Sequence, residues 1–597
     1  MRIISLFALL ICGLAQSQNV DIRLARNYME QGEYEKARSI YTDLYTQQRN
    51  NVNYLYTLIE VNSEMEDYAS IDSLISAATK RNARLKQLLV DRGAMRAVQG
   101  DTITARKYYN EALDHIIQQP NMAYAIGARF QHYSLLQEAL KSYQMGMELN
   151  ERANYNAQIA QVYGELGRLD DMFGAYLDMI DANPNFRGRA QSIFSRYLRD
   201  DSEGVANQAL RKALLRRSQE NPQDLYNSLL SWLFVQQGDY KKAFLQEKAI
   251  YLRNLESLRG IQNLANITIK EKDNSAARMI LRYLRDNAPD ERSVRNAEEY
   301  LLKLDAGEIS TPDEVTAVQE GYDAYFAKYG TDKRSLYAQL DYAEFLAYKK
   351  NDVLTASQVL RDQMKLKLGP FQKAQVQIAL GDLLVLQDQY SKALILYTQV
   401  MNALPNDKIA QTAQYKVAQT SYYKGDFDWA LTQLGVLEAS SSKLIANDAL
   451  ELALVIKDNS TDTARVALKK FARGNLASFK KQPQQAMAIY EDILTQHKGE
   501  EIEDEALLYL AREQEKAGDT DAALANYNKL IELYQDSILV DDAYYAAAQI
   551  YEREKGDLEN ARAYYERLIF DHADSIFFVD ARERFRILRG DTTRTPS

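Results

Sequence analysis

The sequence predicts an all-α fold in which antiparallel helix pairs stack into an α-solenoid with two arms. Three observations predict this class. Glycines that end an apolar segment are followed five residues later by an alanine, the pattern Ala-x-x-x-Tyr recurs along the chain, and both return at a nearly constant period. Such periods are typical of solenoids, in which each helix pair buries its apolar face against the next pair.

The spacing of these residues has a mechanical explanation. The glycine tolerates the left-handed backbone at the end of a first helix. The alanine lets the second helix approach closely, and the tyrosine one turn later fills the space between the helices. A proline then ends the second helix, because it has no backbone N–H to donate. The predicted packing positions are Gly32, Ala37, Tyr41, Gly93, Gly100, Ala105, Tyr109, Gly381, Ala393, Tyr397, Pro405, Gly425, Ala430, Gly518, Ala523, Tyr527, Ala561 and Tyr565.

This pattern resembles the tetratricopeptide repeat (TPR), over nearly all of the chain that follows the N-terminal segment. The best match is VQIALGDLLVLQDQYSKALILYTQVMNALPND, in which Gly381 matches the family's first-helix glycine and Pro405 its final proline. A second match runs through Gly93 and Gly100. The family's first-helix tryptophan is absent, since Gln377 and Leu89 stand at that position. The resemblance implies a TPR superhelix whose groove binds other proteins.

The period lengthens along the chain. Ala37 and Ala105 lie two periods of 34 residues apart, whereas Ala393 and Ala430 are separated by 37 residues. Between these regions Thr311-Pro312-Asp313-Glu314 has the form of a helix start. The sequence therefore predicts a signal peptide, an N-terminal array, a junction, a C-terminal array and a disordered tail, over residues 1–17, 18–305, 306–335, 336–590 and 591–597.

Two Asp-Ser pairs, Asp536-Ser537 and Asp574-Ser575, lie 38 residues apart and are each followed by apolar residues and a further aspartate. We interpret them as turns between repeats, with the apolar residues packed against the stack and the next aspartates opening a helix. This long-repeat form, over roughly residues 370–590, resembles the periplasmic and outer-membrane TPR proteins of the barrel-assembly and Tol-associated coordinator type.

The N-terminal segment MRIISLFALLICGLAQSQ indicates export. Arg2 gives a positive start, an apolar run follows, and cleavage is predicted after Ala15 or Ser17. The apolar run is too short to span a bilayer. The expected location is the periplasm, with possible association to the outer membrane; a lipoprotein anchored through Cys12 is the alternative, disfavoured because Ile11 stands where a small residue is expected.

Composition and motifs argue against chemistry. The formal charge of −10 disfavours a nucleic-acid partner. The four histidines, His115, His132, His497 and His572, form no metal-binding spacing. Phosphate-loop and nucleophile-elbow motifs are missing, and we interpret the Ser-x-x-Lys at Ser440 as a loop followed by a helix start. The sequence predicts a protein that is not an enzyme and has no cofactor and no metal.

Some polar and aromatic residues fall outside the packing pattern, at positions where a first helix would face the groove. Tyrosine and arginine suit peptide recognition because they offer large amphipathic area at modest entropic cost. The candidate groove residues are Arg26, Tyr124, His132, Tyr415, Gln419, Tyr422, Tyr423 and Arg512.

The leading hypothesis is a non-catalytic scaffold of the bacterial cell envelope, acting in outer-membrane assembly, secretion or cell-wall coordination. Its expected partners are envelope proteins or peptides, with membrane association only through a partner and no integral span. The alternative is an enzyme or small-ligand-binding protein with its site at the junction between the arms. A third possibility is self-assembly through the C-terminal repeats.

Overall fold

The computed structural model describes residues 21–198, 204–437, 443–460 and 465–590. Several predictions concern residues outside these ranges: the signal peptide with its cleavage sites and Cys12, the serines from Ser440 to Ser442, and the tail over residues 591–597. Every regular element in the described part is helical. The predicted all-α class, an α-solenoid of antiparallel helix pairs, is therefore confirmed.

The described residues form two compact units, the first ending at Glu271 and the second beginning at Lys272. The first unit contains two 3₁₀ turns, Pro120–Met122 and Pro184–Phe186. Its α-helices are α1 (residues 21–30), α2 (Tyr34–Gln47), α3 (Val52–Glu64), α4 (Tyr68–Arg81), α5 (Leu88–Val98), α6 (Thr102–Gln118), α7 (Ala123–His132), α8 (Leu136–Leu149), α9 (Asn156–Glu165), α10 (Leu169–Ala182), α11 (Arg187–Phe194), α12 (Val205–Glu220), α13 (Asp224–Gln236), α14 (Tyr240–Asn254) and α15 (Arg259–Lys270).

The second unit continues the same alternation, with a 3₁₀ turn at Lys333–Ser335 and a π-helical turn at Tyr551–Lys555. Its α-helices are α16 (Asn274–Asn287), α17 (Glu291–Gly307), α18 (Pro312–Tyr329), α19 (Leu336–Tyr348), α20 (Val353–Gln363), α21 (Pro370–Leu386), α22 (Tyr390–Ala403), α23 (Lys408–Lys424), α24 (Phe427–Leu437), α25 (Lys443–Asp458), α26 (Val466–Phe479), α27 (Pro483–Gln496), α28 (Glu503–Lys516), α29 (Thr520–Leu533), α30 (Val540–Ile550), α31 (Leu558–Asp571) and α32 (Phe578–Arg589).

Small residues and tyrosines close several of the helix pairs. Gly381 on α21 faces Tyr397 on α22, and a Cβ added at Gly381 would overlap the tyrosine ring. Gly93 and Tyr109 repeat the arrangement on α5 and α6. The predicted alanines and tyrosines of the second helices are all buried: Ala37, Tyr41, Ala105, Tyr109, Ala393, Tyr397, Ala430, Ala523, Tyr527, Ala561 and Tyr565.

The turn inside several pairs also follows the predicted chemistry, whereas in others a residue such as Asp388 or Ser134 takes the left-handed conformation in place of glycine. Gly518 has a left-handed φ of +81°, and the next residue, Asp519, caps α29 by accepting a hydrogen bond from the Ala522 N–H. Gly100 and Asp101 do the same before α6. Gly32 and Gly425 also have positive φ. Pro405 lies just beyond the last residue of α22, as expected of a residue that cannot continue the helix.

The predicted helix start near residue 311 is present. Thr311 accepts a hydrogen bond from the Glu314 N–H, and the Glu314 carboxylate accepts one in return from the Thr311 N–H. Gly330 ends this helix. Leu302, in the preceding helix, packs against the hydrophobic cluster that contains Val318 of this helix. The junction over residues 306–335 stays a prediction. The division into arrays of different period stays a prediction.

One helix of the second unit has no pairing partner in the sequence pattern. Ala430 in α24 and Ala486 in α27 lie 56 residues apart, whereas Ala393 and Ala430 lie 37 residues apart. The helix α25 lies in this longer interval. Ala453 and Ile456 of this inserted helix are buried in the same core as Ala430. The insertion therefore interrupts the repeat without leaving the core.

The turns that contain the two Asp-Ser pairs have the same backbone form. The Ser537 N–H donates to the Tyr534 carbonyl, as the Ser575 N–H donates to the His572 carbonyl. The predicted packing of the apolar residues after them is only partly correct. Val540 is buried, but Ile538 and Ile576 are 64% and 76% exposed, because each lies in the turn before its helix begins.

Candidate functional site

A cleft in the second unit is enclosed by α23, α25, α26 and α28. Its volume is about 320 Å³. Four tyrosines line it, Tyr415, Tyr422, Tyr423 and Tyr509, and we call it the tyrosine cleft. Gln419 and Arg512 line it as well, so that five of the eight predicted groove residues meet in one place.

The aromatic wall is held by ring contacts and one shared amide. The Tyr423 ring lies 5.8 Å from the rings of both Tyr422 and Phe479. The Tyr422 hydroxyl accepts a hydrogen bond from Asn475 Nδ2 at 3.0 Å, and the Tyr490 hydroxyl donates to Asn475 Oδ1 at 2.7 Å. Burial raises the pKa of Tyr422 and of Tyr423 well above the ordinary value. These hydroxyls are therefore protonated hydrogen-bonding groups and not bases.

Tyr422 differs from the prediction in one respect. Its side chain is 1% exposed and belongs to the hydrophobic core. Tyr415, Gln419 and Tyr423 are only partly buried. Tyr422 therefore supports the wall of the cleft, whereas the other three residues of α23 offer accessible surface.

Charged groups cross the cleft from α25 to α28. Arg512 Nη1 lies 3.3 Å from Glu451 Oε1, and Arg512 Nη2 lies 2.6 Å from Asp542 Oδ1. The Tyr509 hydroxyl donates to Glu451 Oε1 at 3.1 Å. Burial lowers the pKa of Arg512, but the neighbouring Asp542, Tyr509 and Glu451 outweigh this effect and raise the pKa above its ordinary value. The guanidinium is thus a fixed cation held between two carboxylates.

Glu513 anchors the opposite side of the cleft. Its side chain is 6% exposed and accepts hydrogen bonds from Ser478 Oγ and from Lys516 Nζ, both at 2.7 Å. The cleft therefore presents amphipathic rings, one amide and paired charges held in place by neighbouring helices. Such an arrangement suits the binding of a peptide or a helix.

The other three predicted groove residues lie in the first unit. Arg26 is exposed on α1. Tyr124 is 52% exposed on α7, with its ring 6.2 Å from the Tyr155 ring. His132, at the end of α7, is exposed and packs its ring against Tyr133. Their role in binding stays a prediction.

His132 lies beside a buried ion pair. Asp91 of α5 is fully buried and accepts hydrogen bonds from Arg129 and from the Tyr133 hydroxyl, the latter at 2.9 Å. Burial and the Arg129 charge together lower the pKa of His132. The pair connects the first helices of two successive repeats, which is a structural role.

Sequence reasoning missed Glu451, Tyr509 and Asn475. Tyr509 precedes Arg512 by three residues, so that helical spacing places both on one face of α28. Glu451 lies on the inserted helix α25, and the long interval between Ala430 and Ala486 was the available signal for it. Asn475 is one turn before Phe479 on α26, and nothing in the pattern distinguishes it.

The described residues contain neither a membrane-spanning helix nor a cluster of metal ligands. Within the described ranges no helix is long and apolar enough to cross a membrane. Nor do histidine, cysteine, aspartate and glutamate side chains form a group of three or more suited to hold a metal ion in the part of the chain that the structure describes.

Two family models of the tetratricopeptide repeat match the chain, one over residues 21–50 and 505–537 and the other over residues 541–569. The chain carries tetratricopeptide repeats. The matched segments correspond to the helix pairs α1–α2, α28–α29 and α30–α31. No curated protein matches this TPR chain in sequence.

Three solved structures match the chain at low sequence identity. The structure of Naa15/Naa10 bound to HypK-THB gives a TM-score of 0.28 at 14% identity, covering 90% of this chain and 91% of that chain. Yeast Tom70 gives a TM-score of 0.28 at 15% identity, covering 81% and 99%. The APC/C hetero-tetramer Cut9-Hcn1 gives a TM-score of 0.21 at 14% identity, covering 96% and 98%.

Proposed function

We propose that this TPR chain is a non-catalytic scaffold that holds a peptide or helix of a partner protein in the tyrosine cleft. One observation carries the proposal. Tyr415 and Arg512, separated by 97 residues in sequence, line one cleft together with Gln419, Tyr422 and Tyr423. Five of the eight residues predicted for the groove therefore lie on a single surface.

The chemistry of the cleft supports this role. Tyrosine and arginine dominate the residues that contribute most to protein interfaces, because each combines apolar area with a directed hydrogen bond. Tyr423 and Tyr415 supply the rings, and Arg512 is already neutralised by Glu451 and Asp542. A partner therefore meets a pre-formed surface, which reduces the entropic cost of binding.

The proposed location is the bacterial cell envelope, with the chain exported and its partners drawn from envelope proteins. The supporting observation is the N-terminal pattern of Arg2, an apolar run and a small-residue cleavage site. The long C-terminal repeats add the resemblance to TPR proteins of outer-membrane assembly and Tol coordination. Mass measurement of the N-terminus in purified envelope fractions would distinguish cleavage after Ala15 or Ser17 from an acylated Cys12.

Site-specific photocrosslinking in intact cells tests the binding role. A photoreactive residue at Gln419, in the cleft, should capture a small set of defined proteins. The matched control is the same residue at Trp429, which is 55% exposed on the second helix of the same pair. Equal capture of abundant neighbours from both positions would refute the proposed cleft.

A further inference from the structure

A second and larger cavity lies next to the tyrosine cleft. Its volume is about 900 Å³, and it is enclosed by α25, α28 and the turns that precede α28 and α30. Glu451 and Tyr509 line both openings, so that the two share one wall. A partner segment that leaves the tyrosine cleft along α28 therefore enters this cavity.

Negative charge dominates the second cavity, which we call the acidic cavity. Among its described lining residues Lys457 is the one cation. Besides Glu451, the lining carboxylates are Asp458, Glu500, Glu501, Asp504, Glu505 and Asp536. Such a single-sign surface attracts a cationic ligand and raises its local concentration.

Glu505 is the residue that distinguishes this cavity from an ordinary acidic surface. Its side chain is 6% exposed, and Oε1 accepts a hydrogen bond from Asn459 Nδ2 at 2.9 Å. Its other oxygen, Oε2, is buried and has no hydrogen-bond partner among the described residues. Burial, together with the adjacent Asp504 carboxylate, raises the pKa of Glu505 to about 9. A buried carboxyl with an unused oxygen is costly to keep.

The neighbouring carboxylate is held in position. Asp504 Oδ2 accepts a hydrogen bond from Ser537 Oγ at 2.7 Å, and this serine belongs to the Asp-Ser turn before α30. The turn thus fixes one carboxylate on the wall of the cavity. The sequence predicts this Asp-Ser pair only as a turn between repeats and does not indicate its contact with Asp504.

The size and lining of the cavity indicate which cation fits. The carboxylates form no metal-binding group within the described residues, and the volume far exceeds that of a single ion. Apolar side chains, Leu454, Val455 and Ile538, line the cavity among the acids. Lysine and arginine combine an apolar stem with a charged end, which matches this mixture.

We propose that the acidic cavity binds the basic side chains of a partner protein's lysine- or arginine-rich segment, while the adjoining part of that segment occupies the tyrosine cleft. This inference rests on the proposed scaffold function and narrows its partner to a basic peptide. Glu505 supplies a buried countercharge by losing its proton when the cation binds, and Glu501 and Asp536 supply the charged rim.

Peptide binding to the purified chain tests the proposal. The probe is a fluorescein-labelled heptapeptide with two arginines, compared with the same peptide carrying two citrullines, which keep the shape but lose the charge. Fluorescence anisotropy at pH 7 should show binding of the arginine peptide that weakens with added salt. Equal affinity for the citrulline peptide would overturn the proposal.

Glu505→Gln tests the buried carboxyl. The glutamine keeps the shape and the Asn459 contact but cannot ionise, so we expect at least about tenfold weaker binding of the arginine peptide. In the unaltered chain, binding should also release a proton at pH 7, because a bound cation lowers the pKa of Glu505. Calorimetry in two buffers of different ionisation enthalpy measures this proton release. Unchanged affinity and unchanged proton release in the variant would contradict the assignment.

Two matched double variants separate the cavity from general attraction to an acidic protein. Glu501→Gln with Asp536→Asn removes two exposed carboxylates from the rim. Glu559→Gln with Asp574→Asn removes two exposed carboxylates from the next repeat, and Asp574 occupies the corresponding Asp-Ser turn. Only the first pair should weaken the arginine peptide, by a few-fold; equal effects of both pairs would refute a localised site.

The outcomes distinguish this inference from the proposed function. Suppose that crosslinking at Gln419 captures a defined partner whose affinity is unchanged by Glu505→Gln and by the rim variant. In that case the scaffold proposal is supported and the basic-segment inference fails. If the arginine peptide binds through Glu505 but Gln419 captures nothing specific, the acidic cavity is a ligand site and the scaffold proposal fails.

Discussion

The regular repeats and the stretch from α25 to α28 differ in how the space between their helices is filled. In regular pairs the second-helix tyrosine fills the space and its hydroxyl is satisfied, as where Tyr397 donates to Asp382 and Tyr565 to Glu552, at 2.6 and 2.8 Å. Around α25 the spacing is broken, and two cavities lie along the inserted helix. Regular repeats carry cavities as well, of about 390 Å³ beside α19, α20 and α21 and of about 480 Å³ beside α9, α10 and α12. The stretch around α25 differs in having a cavity of about 900 Å³ that shares a wall with the tyrosine cleft.

The difference also concerns how buried polar groups are satisfied. Glu505 and Glu513 lie on the same helix, and each is 6% exposed. Glu513 accepts hydrogen bonds from Ser478 and Lys516, while one oxygen of Glu505 has no partner among the described residues. Buried carboxyls are normally satisfied, and of these two glutamates on α28 only Glu513 follows that rule among the described residues.

The largest expected effect comes from disturbing a regular pair. Gly381→Ala would place a methyl group inside the ring of Tyr397, which is 1% exposed and has no room to move. We expect a loss of about 3 kcal/mol in the local stability of α21 and α22, the upper end for overpacking. Hydrogen exchange of the amides in these helices measures it, because a long repeat array need not unfold in one step.

Gly435→Ala is the control for that substitution. Gly435 lies in α24 with open space around its Cβ position, so the alanine should be neutral or stabilising by up to about 1 kcal/mol. Similar destabilisation by both substitutions would show that helix propensity, and not contact with the tyrosine, makes the first-helix glycine necessary.

A smaller effect of opposite sign is expected at the insertion. Glu505→Gln should stabilise the chain by on the order of 2 kcal/mol at pH 7. The folded pKa of about 9 lies above the unfolded value, so the folded chain takes up a proton that the unfolded chain has lost. That stability contribution is fully present below about pH 4.5 and is lost as the pH rises toward 9. Urea unfolding at pH 5 and pH 8 should show that the difference in the free energy of unfolding between the variant and the parent increases with pH.

Glu513→Gln is the matched comparison on the same helix. Because the Glu513 carboxylate accepts hydrogen bonds from Ser478 and Lys516, its replacement should destabilise by about 1 kcal/mol. Stabilisation by both glutamine variants would indicate a general excess of negative charge on α28 and would remove the distinction between the two sites.

The sequence determines the fold and part of the site for identifiable reasons. Glycine, alanine and tyrosine at fixed offsets predict the helix pairs because close packing leaves few choices at those positions. The cleft residues Tyr415, Gln419 and Arg512 were found because they are amphipathic side chains on first helices. Glu451 and its helix α25 were not predicted, because an inserted helix has no equivalent in the other repeats. The burial of Tyr422 was not predicted either, because it depends on packing against residues outside the repeat pattern.

The smallest expected effect separates two turns that look alike in sequence. Ser537 Oγ accepts a hydrogen bond from the Leu539 N–H and donates to Asp504. Ser575 Oγ accepts the corresponding bond from the Phe577 N–H but has no carboxylate partner among the described residues. Ser537→Ala should therefore cost about 1 kcal/mol, against a few tenths for Ser575→Ala. Hydrogen exchange at the starts of α30 and α32 measures the two costs. Equal costs would mean that the first turn does not support the acidic cavity, and that both Asp-Ser pairs only separate repeats.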